Sequence, residues 1–195
     1  MSSAITDPAD RTQFRLHDIF GVMLVVGLSF GYLRQFDRQL VIWVGGGSLI
    51  AAIVVGMIAG IHTKRSVPAG FWSVVIAAAA FFSTVREVRY GIELPLSWTV
   101  VGLLVGAFCG AIPYGKPIWR IVIGAIVGGS TMAGFGAFHT MHPEFTFDLI
   151  CAPIVGALIG LLIELVEWVE SHMKWPRYVT AVWVLSAVIV GNWLS

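Results

Sequence analysis

The chain has 195 residues, of which 57% are hydrophobic and only 12% are charged. A soluble domain carries about 25% charged residues, so this composition excludes an ordinary water-soluble fold. The net charge of +1 gives no argument for nucleic-acid binding, and we expect no nucleic-acid partner.

Long segments without ionisable residues indicate an all-α, polytopic membrane helix bundle. The segments 39–61, 66–85, 94–115, 121–138 and 178–195 contain no Asp, Glu, Lys, Arg or His. A bilayer core about 30 Å thick needs about 20 helical residues, which these segments match. We predict seven transmembrane helices, with six as the alternative, near residues 17–33, 40–61, 68–85, 94–112, 118–138, 147–168 and 177–194.

The first predicted span has the shortest wholly apolar part, and its omission would give six crossings. Residues 1–16 form a polar tail, and residues 17–195 are predicted to form a single transmembrane domain. Arg11 and Arg15 precede the apolar run, as in a signal peptide. No small-residue cleavage site follows in "VVGLSFGYLRQF", so we expect an uncleaved first helix.

The loop charges predict that the N-terminus lies in the cytoplasm, because cytoplasmic loops are enriched in Lys and Arg. Seven of the eight tryptophans lie near predicted span ends, where the membrane interface favours them, and only Trp183 lies well inside a span. This topology puts Cys109 near the inner end of one span and Cys151 near the outer end of another, too far apart for a disulfide. The N-terminal side carries eight basic residues, Arg11, Arg15, Lys64, Arg65, Lys116, Arg120, Lys174 and Arg177, and the other side carries four, Arg34, Arg38, Arg86 and Arg89.

Glycines recur four residues apart within five of the predicted spans. Residues at this spacing share one helix face, so each pair forms a shallow groove in which two backbones can approach closely. The pattern predicts a glycine-rich, tightly packed bundle, with an oligomer face or a sliding transport interface as the alternative. The pairs are Gly27/Gly31, Gly56/Gly60, Gly102/Gly106/Gly110, Gly124/Gly128 and Gly156/Gly160.

Three glutamates near the end of the sixth predicted span are the main candidates for transport chemistry. Glu164, Glu167 and Glu170 are spaced by three and lie along one helix face. Ionisable groups inside a membrane are costly and often functional, and we expect Glu164 to lie deepest. The alternative is a helix that emerges into the cytoplasm with one solvated, charged face.

Two histidines follow the fifth predicted span and are the candidates for a metal site. His139 and His142 lie close to Glu144 in the sequence, which permits metal coordination. Pro143 disfavours a helix at His142, however, and the H-E-x-x-H motif is absent. A solvated outer loop is therefore the preferred interpretation. The hypothesis of a haem held by His17, His62 or His172 has less support than the metal site, and we expect the protein to bind no cofactor.

The segment "FRLHDIFGVMLVVGLSFGYLR", residues 14–34, resembles the first span of uncharacterised bacterial multi-pass membrane proteins, which often begins F-x-L-x-D-[IL]. The resemblance covers about 20 residues. It implies a bacterial inner-membrane location and an uncleaved first helix, and it implies no activity.

These patterns favour a non-catalytic structural or partner subunit, and not an enzyme. We expect its contacts to be membrane lipid and either another membrane protein or a second copy of the chain, because the loops between spans are short. The alternative is a small-solute or ion transporter or channel that uses Glu164 and the glycine-lined helices. A third hypothesis is an intramembrane metal-dependent enzyme at His139 and His142.

Overall fold

A computed structural model describes residues 39–85, 93–138, 143–173 and 177–194, together with residues 23, 24 and 27. Within these residues the chain is all-helical and contains no strand. The helices are α1 (Gln39–Gly60), α2 (Ser66–Thr84), α3 (Glu93–Ala111), α4 (Pro117–Phe138), α5 (Pro143–Met173) and α6 (Arg177–Leu194).

These helices coincide with the second to seventh predicted spans, and the largest difference is in α5. That helix continues to Met173, although residue 168 was its predicted end. Five helices, α1 to α5, are long and apolar enough to cross a membrane. The predicted first span lies almost wholly outside the described residues, and α6 is not among the five. Seven crossings therefore stay a prediction.

The centre of the bundle is formed by α2 and α3. In each of them 67% of the residues are buried, against 22% in the apolar windows of α4 and α5. Helix α1 packs on both central helices, α4 and α5 pack mainly on each other and then on α3, and α6 packs on α2. The apolar residues surround each helix on all sides, which is typical of helices buried in protein or lipid.

Large apolar side chains cover the outer faces of the bundle. On α5, Ile154, Leu158 and Leu165 are each more than half exposed, and Trp43 and Trp183 are more than two-thirds exposed. Such a surface would aggregate in water, whereas lipid chains cover it without cost. The exposed faces therefore agree with a protein embedded in a membrane.

The interhelical contacts place several glycines directly against neighbouring backbones. A Cβ atom on Gly56 would lie 2.6 Å from the Ala69 carbonyl oxygen, and one on Gly106 would lie 2.5 Å from the Trp72 carbonyl oxygen. Gly124 and Gly156 face each other so closely that a Cβ atom on either would overlap the carbonyl oxygen of the other. At such contacts any larger side chain forces the helices apart.

The remaining glycines of the predicted pairs divide into two groups. Gly60, Gly102, Gly110, Gly128 and Gly160 also have backbone or side-chain atoms where a Cβ atom would sit. Gly27 has nothing within 4 Å of that position, and Gly31 lies outside the described residues.

The cysteines of the central and outer helices, Cys109 and Cys151, are both free thiols.

Trp72 is an exception to the predicted placement of tryptophans at the interface. Its side chain is fully buried in α2, whereas Trp119 and Trp168 are 61% and 48% exposed. Trp72 lies in the second turn of α2, near the helix end as predicted. Its side chain is nevertheless enclosed by protein, because α2 is one of the two central helices of the bundle.

Candidate functional site

Two arginines and two glutamates meet at the end of the bundle where α3 ends and α2 and α4 begin. We call Arg65, Arg120, Glu164 and Glu167 the four-charge cluster. Their formal charges sum to zero. The loops that contribute to the cluster, near residues 62–65 and 112–117, belong to the side predicted to be cytoplasmic.

Arg120 is the centre of the four-charge cluster and is completely buried. It lies in the first turn of α4, which begins at Pro117, and its N–H donates to the Lys116 carbonyl at 3.2 Å. Its Nη2 donates to Glu167 Oε2 at 2.6 Å and also to the carbonyl of Ile112 at 2.7 Å. A buried guanidinium is stable only when carboxylates and other acceptors compensate it, and these contacts do so.

Glu167 accepts hydrogen bonds from three side chains and is 6% exposed. Besides Arg120, it accepts from Arg65 Nη2 at 2.8 Å and from the indole Nε1 of Trp72 at 3.3 Å. Three donors, two from the start of α2 and one from the start of α4, therefore converge on one side chain of α5. Hydrogen bonds from charged donors to a carboxylate are among the strongest in proteins, so Glu167 ties these segments together.

Glu164 lies one turn earlier on the same face of α5 and is 12% exposed. Its Oε1 accepts from the backbone N–H of Gly115 at 2.7 Å. Gly115 has a φ of +86°, a left-handed conformation that favours glycine and turns this N–H toward α5. Glu164 thereby fixes the loop between α3 and α4 to α5.

The contact between Glu164 and Arg120 is an ion pair without a directed hydrogen bond. Arg120 Nη1 lies 3.0 Å from Glu164 Oε2, yet both atoms, and Arg120 Nε, lack a hydrogen-bond partner of acceptable angle. The short distance shows that the charges still compensate each other. Glu164 is thus held less firmly than Glu167.

The C-terminal end of α3 supplies a further acceptor. Both Arg65 Nη1 and Arg120 Nη2 donate to the carbonyl of Ile112, the residue that follows α3. The last carbonyls of a helix have no partner within the helix and carry the negative end of its dipole. Two guanidinium groups at this point therefore cap α3 and favour its termination there.

The contacts of the four-charge cluster are ion pairs and hydrogen bonds between helix ends. No group of three His, Cys, Asp or Glu side chains able to hold a metal ion occurs among the described residues. The nearest nucleophile, Cys109, donates its thiol to the Arg120 carbonyl at 3.4 Å and faces no base in that contact. The contacts of the four-charge cluster hold the starts of α2 and α4, the end of α3 and helix α5 in fixed positions relative to one another.

The other predicted site residues are placed apart from the cluster or beyond the described chain. His139 and His142 lie outside the described residues, and Glu144 lies in the first turn of α5. His62 is exposed, and His172 is exposed and stacks on Trp168 with ring centroids 4.4 Å apart. His17 lies outside the described residues. The positions of these residues add no observation in favour of a metal site or a haem site.

Sequence reasoning found the two carboxylates but missed their partners. Within the protein Glu167 is slightly more buried than Glu164, and the expected depth of Glu164 in the membrane stays a prediction. Arg65 and Arg120 were interpreted only as loop charges, and Trp72 only as an interfacial residue. One signal could have identified Arg120. It lies three residues after Pro117, a residue favoured at the first helical position, which places its guanidinium on the first turn of a span.

Comparison of the chain with family models, with curated proteins and with solved structures found no match.

Proposed function

We propose that this chain is a non-catalytic integral membrane protein that acts as a structural or partner subunit. The observation that carries the proposal is the four-charge cluster, in which Glu164 and Glu167 of α5 are both ion-paired to arginines from other segments. These ion pairs and the bond from Glu164 to the Gly115 N–H join α5 to the starts of α2 and α4 and to the loop after α3, so the geometry supports a structural role for both carboxylates.

The glycine contacts support the same proposal. Without water, helices in a membrane gain little from the hydrophobic effect and depend on close van der Waals packing. The facing pair Gly124 and Gly156, together with Gly106 against Trp72, would hold adjacent helices at a fixed short distance. We infer a rigid, glycine-packed bundle in a bacterial inner membrane, with its N-terminus in the cytoplasm and seven crossings.

A subunit role predicts a particle larger than the single chain of 21.1 kDa. We expect crosslinking in native membranes, followed by mass measurement of polymer-extracted particles, to find a second copy or another membrane protein. The exposed apolar faces of α4 and α5 offer contact area for either, and the short described loops offer little to a soluble partner. A particle of one chain with no crosslinked neighbour would contradict the proposal.

A transport role for Glu164 is the second candidate, because Glu164 is the more exposed and less firmly bonded carboxylate. Under the subunit proposal, we expect purified protein in vesicles to show no proton-driven flux above that of empty vesicles, and Glu164→Gln to change nothing. The measurement is a pH-sensitive dye trapped in the vesicles. Flux in the wild-type protein that Glu164→Gln abolishes would establish transport instead.

The control for this measurement is Glu170→Gln, on the same helix but outside the four-charge cluster. Loss of flux in Glu164→Gln but not in Glu170→Gln would assign the effect to position 164. Equal loss in both variants would indicate a general disturbance of α5.

A further inference from the structure

We propose that the end of the bundle that holds the four-charge cluster binds anionic phospholipid headgroups through an outer ring of lysine and tryptophan side chains. The outer ring consists of Lys64, Lys116, Trp119 and Trp168. The inference goes beyond the subunit role and does not depend on it.

Each residue of the outer ring is next in sequence to a residue of the four-charge cluster or to Gly115, which the cluster binds. Lys64 precedes Arg65, and Trp119 precedes Arg120. Lys116 follows Gly115, whose N–H is bonded to Glu164, and Trp168 follows Glu167. Each inward contact therefore has an exposed lysine or tryptophan beside it in the chain, at the same end of the bundle.

The exposure of the outer ring fits the polar boundary of a membrane. Both lysines are exposed, and the tryptophans are 61% and 48% exposed. An indole ring prefers the headgroup level, where its apolar body meets lipid and its N–H meets water. The two tryptophans therefore indicate that Lys64 and Lys116 lie at the level of the lipid headgroups.

The charge at this end is complementary to an anionic headgroup. The four members of the cluster neutralise one another internally. At the same end Lys64 and Lys116 are exposed, whereas the next carboxylate along α5, Glu170, is half-buried, so the exposed charge of these residues is positive. Helices α2 and α4 begin at this end and α1, α3 and α5 end there, so the helix dipoles largely cancel. The attraction for an anion therefore comes from the exposed lysines.

The lysines contribute most of the expected selectivity. A lysine near an anionic membrane surface contributes about 1 kcal/mol, which corresponds to about a fivefold change in affinity for each lysine. We therefore expect the wild-type protein to prefer phosphatidylglycerol over phosphatidylcholine by about 25-fold if both lysines act together.

The test is a lipid titration of the detergent-purified, full-length protein, read by native mass spectrometry. We expect phosphatidylglycerol adducts to form at about 25-fold lower concentration than phosphatidylcholine adducts, and K64Q/K116Q to remove most of this difference. K64R/K116R retains both charges and should retain the preference. Equal affinity of the wild-type protein for the two lipids, or a preference that persists in K64Q/K116Q, would overturn the proposal.

Two further arms identify the source of the anion and exclude misfolding. Millimolar inorganic phosphate should not displace phosphatidylglycerol, because the acyl chains of the lipid also bind the exposed apolar faces of the helices. Displacement by phosphate would mean a site for free phosphate, and would overturn the lipid proposal. Thermal unfolding of K64Q/K116Q should match that of the wild-type protein, since the exposed lysines take no part in the four-charge cluster.

Discussion

Glu167→Gln is expected to destabilise the protein by about 3–5 kcal/mol, the usual result of removing one partner from a buried ion pair. Glu167 is 6% exposed and accepts from two arginines, one of which, Arg120, is completely buried. The neutral glutamine would leave two guanidinium groups with only Glu164 to compensate them. The measurement is reversible unfolding in mixed micelles of increasing denaturing detergent, followed by tryptophan fluorescence.

The matched control is Glu93→Gln, which removes the same charge from an exposed position in the first turn of α3. Exposed charges contribute about 0–1 kcal/mol, so this variant should unfold close to the wild-type protein. Equal destabilisation in the two variants would show that burial in the four-charge cluster has no special energetic role.

A double variant separates the pairwise contact from general damage to the core. Arg65→Gln combined with Glu167→Gln restores a neutral cluster, because Arg120 and Glu164 remain as one pair. We expect the loss in the double variant to be smaller than the sum of the single losses by at least about 1 kcal/mol, as is usual for residues in contact. Strictly additive losses would mean that Arg65 and Glu167 are near each other without stabilising each other.

The helices could be predicted from the sequence because lipid imposes a simple requirement. In a bilayer every backbone polar group must be bonded internally, so an uncharged run of about 20 residues is a helix. The predicted span 40–61 and the observed α1, Gln39–Gly60, accordingly differ by one residue at each end. The predicted span ends at Trp168 because a tryptophan is typical of the membrane interface. The observed α5 continues for five more residues, to Met173.

Only the two glutamates of the four-charge cluster could be predicted from the sequence. The spacing of Glu164 and Glu167 places both on one face of α5, and this spacing is a local property of the sequence. Their partners are distant in sequence, since Arg65 and Glu167 are 102 residues apart. An arginine at a span edge has the same sequence pattern whether it faces water or a buried carboxylate. The difference arises from the tertiary packing of the helix ends, which brings the starts of α2 and α4 against α5.

The glycines show the same division between local pattern and tertiary contact. The four-residue spacing identifies a small-residue face but does not reveal whether a helix lies against it. Gly124 and Gly156 face each other across α4 and α5, while Gly134, further along α4, has nothing within 4 Å of the position of its absent Cβ. Only the structure distinguishes a glycine that a neighbour requires from one that no neighbour requires.

Gly124→Ala and Gly134→Ala are therefore expected to change the stability in opposite directions. At Gly124 the added methyl group would overlap the backbone carbonyl of Gly156, which cannot rotate away, so α4 and α5 must separate. Overpacking of this kind costs about 1–3 kcal/mol. At Gly134 the methyl group meets open space, and alanine is favoured over glycine within a helix by up to about 1 kcal/mol. The measurement is the same unfolding titration in mixed micelles.

The double variant Gly124→Ala/Gly156→Ala tests whether the loss arises at this single contact. Each substitution separates the same two backbones, so once the first has moved α4 from α5 the second should cost less than it does alone. Gly124→Ala combined with Gly134→Ala should instead be additive, because the two positions share no neighbour. A gain in stability for Gly124→Ala would mean that α4 and α5 are farther apart in the membrane than the glycine contact requires, and the glycine-packed bundle would have to be abandoned.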